Sequence, residues 1–134
     1  MMKQTVRFGL LLSMAFLIAA PPCWAKAKGF LYVISYSFAQ KKIFLSNVIT
    51  ERVRDVSYSD EEFVTEVELI QKMEAQFQEH LASAAGVKSS EYTTAVRGAY
   101  KSKAIAEKRL KEERQRYLEK GYSAKVLSDF TYSE

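Results

Sequence analysis

The 134 residues hold one cysteine, Cys23, and one histidine, His80. Cys23 falls within the first 25 residues, so their removal leaves a chain that no disulfide can staple. Stability must then come from packing alone. With no second histidine and no later cysteine, zinc sites of the usual kinds are excluded by ligand count. His80 follows Glu79 on the polar side of an amphipathic segment and reads as a surface residue. The glycines are scattered at Gly9, Gly29, Gly86, Gly98 and Gly121, which excludes a glycine-rich phosphate loop. None of the serines stands in a G-x-S-x-G elbow or an S-x-x-K frame. The acids Asp60, Glu61, Glu62, Glu66 and Glu68 lack the alternation and glycine of a calcium loop, so no metal and no cofactor is expected.

What is present begins with an address. Lys3 and Arg7 make a basic start, Phe8 to Ala20 is uncharged and mostly apolar, and Pro21-Pro22 break any helix before Cys23-Trp24-Ala25. This is the order of a secretory signal peptide. The apolar run has 13 residues, short of the roughly 20 needed to span a bilayer. Cleavage is expected after Ala25, with Ala27 as the alternative point. The Pro21-Pro22 pair does not suit lipidation of Cys23. Residues 1–25 are thus expected to be a cleaved signal and 26–134 a single α+β domain, periplasmic or extracellular, with no transmembrane span after cleavage.

The whole chain carries a net charge of +4. Removing Lys3 and Arg7 lowers it to +2, weak grounds for nucleic-acid binding. The distribution says more. Asp55 to Glu79 holds eight acids and one base, and Lys88 to Lys125 holds eleven bases and five acids. The chain is bipolar in sequence.

Phe30, Tyr32, Ile34, Tyr36 and Phe38 alternate as on one face of a strand, with Leu31 and Val33 on the other, which suits a central position. Ile43 to Ile49 reads as a second strand, joined by a short hairpin. Thr50 to Tyr58 is open between strand and loop. Ser59 with Glu62 fits a capping box, and Phe63, Val67, Ile70, Met73, Phe77 and Leu81 recur at helical spacing. Gly86 suits a helix stop. A second helix is expected from Ser90 or Thr93 to Lys120, with Tyr92, Val96, Ala99, Ala106, Leu110 and Tyr117 inward. Glu107 with Lys111 and Glu112 with Arg116 are spaced to pair along it. Tyr122 to Tyr132 supplies a last strand. The expected fold is a small two-layer α+β sandwich in β-β-α-α-β order. A three-stranded antiparallel sheet of order 2-1-3 would pack on a long helical hairpin.

With no catalytic motif to build on, the expected function is a non-catalytic protein-binding domain of the cell envelope, of inhibitor or toxin-neutralising type. Two surfaces could meet a protein partner: any sheet face left bare, where Tyr32 and Tyr36 would be presented, and the basic helix at Lys108, Lys111 and Arg114. The alternatives are a small envelope hydrolase whose site only the fold assembles, and a binder of anionic surfaces.

Overall fold

The computed structural model describes residues 25–134; residues 1–24, with most of the expected signal and Cys23, lie outside the described residues. Five strands and two longer helices follow in order: β1 (Lys26–Ser37), β2 (Lys42–Ser46), β3 (Ile49–Arg54), α1 (Val67–Ala85), β4 (Thr93–Tyr100), α2 (Lys103–Glu119) and β5 (Ser123–Leu127). The class is α+β, as expected, but the order is β-β-β-α-β-α-β and the sheet has five strands.

β1 organises the sheet because it is twelve residues long. One edge pairs antiparallel with β4, from Phe30 opposite Tyr100 to Tyr36 opposite Thr93. The other edge takes two strands end to end. β3 pairs with its first half and β2 with its second, both antiparallel. Both edges of β1 are then occupied, so the last strand cannot lie beside it. β5 instead joins the free edge of β2, in parallel, and the sheet is mixed. The segment that the sequence left open supplies β3.

The expected helical hairpin does not form. β3 and β4 both run antiparallel to β1, so they are parallel to each other, and so by the same reasoning are β4 and β5. Their connections, α1 and α2, cross the sheet in opposite directions. Crossovers of this kind are right-handed almost without exception, which sends the two helices to opposite faces. The result is three layers rather than two. Leu31 and Val33 pack with Phe44, Val53, Met73, Phe77 and Leu81 under α1. Tyr32 and Ile34 pack with Ile43, Leu45, Tyr100, Ala106 and Tyr122 under α2.

The second expected helix divides at Lys101-Ser102, between β4 and α2. Residues Thr93–Tyr100 are a strand covered on both sides: Val96 and Ala99 pack on the α1 side, Ala95 and Tyr100 on the α2 side. A strand buried on two faces loses its alternation, and Tyr92, Val96 and Ala99 then mimic helical spacing. Gly98 has φ of 110°, and a Cβ there would stand 2.7 Å from the Phe30 carbonyl oxygen. The β1–β4 register shifts by one residue at this point.

The capping box does not start a helix. The Ser59 hydroxyl accepts the Glu62 amide at 3.1 Å, as a cap would, but residues 56–64 fold into a flap. Ser57 bridges Phe63, and the Phe63 amide donates to the Ala99 carbonyl at 2.8 Å. α1 begins only at Val67. Among its residues Met73, Phe77 and Leu81 are buried, whereas Val67 is exposed.

Candidate functional site

The space between the sheet and α2 holds the one buried charge among the described residues. Glu113, 3% exposed, sits on the inward stripe of α2 with Ala106, Leu110 and Tyr117. β1 delivers Tyr32 to it, and the Tyr32 hydroxyl donates to Oε1 at 2.8 Å. β4 delivers Arg97, whose Nε and Nη2 donate to the carboxylate at 3.1–3.2 Å. The Arg116 guanidinium lies 3.9 Å away. Burial raises the Tyr32 phenol far above its ordinary value, and the hydrogen bond to Glu113 adds to the shift. Tyr100 stacks on Tyr32 with ring centres 6.2 Å apart, and burial raises its phenol too. A phenol so raised is a poor acid, and the carboxylate is saturated with donors. The trio therefore seats α2 on the sheet.

Beyond the carboxyl end of β4, where the chain turns into α2, lies an open crevice of about 560 Å³. Ser59 to Glu62 of the flap form one wall, Tyr100 and Arg109 the other. Arg109 closes it, donating to Glu61 at 2.6 Å and to Glu112 at 3.1 Å. The Ser59 hydroxyl is already held by the Glu61 and Glu62 amides. The polar groups of the crevice are committed to holding the flap against α2.

The outer side of the flap is different in kind. The Val64 amide donates to the Val56 carbonyl at 2.8 Å, and the Tyr58 amide to the Glu62 carbonyl at 2.9 Å. Val56 and Val64 therefore stand opposite each other, with Tyr58 and the facing Glu62 two residues along the same face. Phe63, on the other face, packs against the core. Val56, Val64 and Tyr58 are exposed, Tyr58 at 75%, and Val67 at the start of α1 is exposed as well.

The sequence-based candidates fare unevenly. The tyrosine face of the sheet is not bare: α2 covers it, and Tyr32 is buried. Lys108, Lys111 and Arg114 do stand on the exposed side of α2. Lys108 reaches Glu112 at 4.0 Å, while Lys111 and Arg114 have no ion pair among the described residues. The expected pairs along α2 are replaced by Lys103–Glu107, Lys108–Glu112 and Arg109–Glu112. His80 is half-buried rather than fully on the surface. Its Nε2 lies 3.2 Å from Asp129 and its ring packs beside Phe130. Ser83 gives its hydroxyl to the Glu79 and His80 carbonyls, so it is not activated by the imidazole. No group of three or more His, Cys, Asp or Glu among the described residues is placed to hold a metal. No helix among them is long and apolar enough to cross a membrane.

The missed residues are Glu113 and the flap. Glu113 had a signal: with Ala106, Leu110 and Tyr117 it falls at helical spacing on the apolar stripe, where a charge needs a partner. No protein-family model, curated protein or solved structure matches the chain.

Proposed function

We propose that the chain is exported, loses residues 1–25, and serves the cell envelope as a non-catalytic protein-binding domain, of the inhibitor or toxin-neutralising kind. The observation that carries this reading is the exposed apolar face of the flap. Val56, Tyr58 and Val64 lie together on a folded hairpin whose other side is anchored to the core, and such apolar patches mark contact surfaces. Tyrosine is favoured at the energetic centre of interfaces. The unpaired Lys111 and Arg114 on α2 support an acidic partner that is steered by charge.

The test is capture of the partner from envelope extract by the tagged protein, beside the Tyr58→Ser/Val64→Ser variant. The reading expects a discrete captured protein that the variant loses while keeping its thermal midpoint. Equal capture by both would reject the flap as the contact. Intact mass of the protein from its native envelope should show loss of the first 25 residues; full-length protein retained in the membrane would reject export with cleavage.

A further inference from the structure

We propose that two copies of this chain associate through the outer edges of their β4 strands, antiparallel about a two-fold axis near Ala95. β4 is an edge strand, since β1 is its only strand partner. The flap takes the far end of the outer edge. The Phe63 amide donates to the Ala99 carbonyl, the Lys101 amide to the Glu61 carbonyl, and the Ala99 amide to the Thr65 hydroxyl, all at 2.8 Å. Thr93 to Arg97 remain as a run of five residues whose outward amides and carbonyls meet no strand among the described residues.

Edge strands are ordinarily guarded by charge, proline or a covering element. β3 carries Glu51, Arg52 and Arg54, and β5 carries Lys125. Thr93-Thr94-Ala95-Val96 carries none of these guards, and its Thr and Val residues favour strands. The one charge, Arg97, is turned toward Glu113. This edge is open and unguarded.

The occupant that fits is the same strand, reversed. Centred on Ala95, the antiparallel register sets Thr94 opposite Val96, a β-branched pair, and the small Ala95 opposite itself. Thr93 meets Arg97, so no like charges face each other. The same arrangement brings Glu91 of each copy to the end where the other carries Arg97 and Lys101. The flap stops the overlap at five residues a side, so the two sheets join without sliding. A two-fold contact of this kind closes on itself and gives a dimer, not a fibre.

Light scattering across a dilution series measures the dimer directly. The unmodified protein should pass from twice the chain mass to the single-chain mass on dilution. Thr93→Lys sets a like charge opposite Arg97 at both ends of the contact and should weaken the dimer roughly tenfold. Thr93→Asp should not weaken it. Thr93 is exposed, so both variants should keep the parent's thermal midpoint. In a Cys23→Ala background, Ala95→Cys should form an intermolecular disulfide, because residues facing each other across an antiparallel pair stand within disulfide reach. A protein that stays monomeric at every concentration overturns the proposal. So does a dimer that responds equally to both Thr93 variants, or an Ala95→Cys protein that does not cross-link.

Discussion

At the scale of single residues, the molecule's most consequential contact is the one between Tyr32, Arg97 and Glu113. It ties three elements, β1, β4 and α2, at one carboxylate. A buried ion pair adds little net stability against an apolar replacement, but breaking one member leaves the rest unpaired. Tyr32→Phe removes a hydrogen bond to a buried charge and should cost about 1.5–3 kcal/mol, read as a lower urea midpoint at unchanged slope. The phenols also set a pH dependence. Burial raises Tyr32, Tyr92, Tyr100, Tyr117 and Tyr132 above their ordinary value of 10.0. The folded protein keeps those protons where the unfolded chain gives them up. Stability is therefore fully present below about pH 10 and falls as pH rises beyond it. Denaturation midpoints measured from neutral to strongly alkaline pH should drop only above that value, and Tyr32→Phe should make the drop shallower.

At the scale of elements, α1 shows what periodicity conveys and where it stops. Its stripe of Met73, Phe77 and Leu81 is buried as the spacing implied, while Val67 is exposed and Phe63 belongs to the flap. Ile70 is half-buried, so the centre of the stripe lies one turn further on. Phe77→Ala should cost about 3–5 kcal/mol, since Phe77 also stacks edge-on against Phe130 at 5.1 Å. Ile70→Ala should cost distinctly less; equal losses would mean that the helix is seated differently. The glycines separate in the same way. Gly98 and Gly121 both have positive φ, but a Cβ at Gly98 meets backbone and one at Gly121 meets nothing within 4 Å. Gly121→Ala should cost about 1–2 kcal/mol, the conformational penalty alone. Gly98→Ala should exceed it by a clear margin in the same denaturation assay, because β1 would have to move. The flap is the harder lesson. Its local chemistry is that of a helix start, with Ser59 holding the Glu62 amide, and only the edge of β4 decides that the backbone pairs instead.

At the scale of the whole molecule, the opposed charges of the two halves do not meet as they would across a helical hairpin. α1 and α2 lie on opposite faces of the sheet, each with its own core. Replacing Lys108, Lys111 and Arg114 together by Gln should therefore change stability by only about 0–1 kcal/mol. Circular dichroism and a thermal melt would show it, and loss of the fold would mean that those charges hold more than the exposed surface of α2. The features legible in the order of residues are local. These are the pleated core of β1, the alternation of β2, the buried stripe of α1 and the charged outer side of α2, because each depends on neighbours a few residues away. The remainder follows from how distant segments assemble. β4 is hidden by being apolar on both faces, β5 lies beside β2 because β1 has no edge left, and the helices part because right-handed crossovers travel opposite ways. Glu113 is buried because β1, far away in the chain, and β4, the strand just before α2, bring Tyr32 and Arg97 to meet it. These are outcomes of which edges and faces remain free once the sheet is assembled, and no window of adjacent residues contains them.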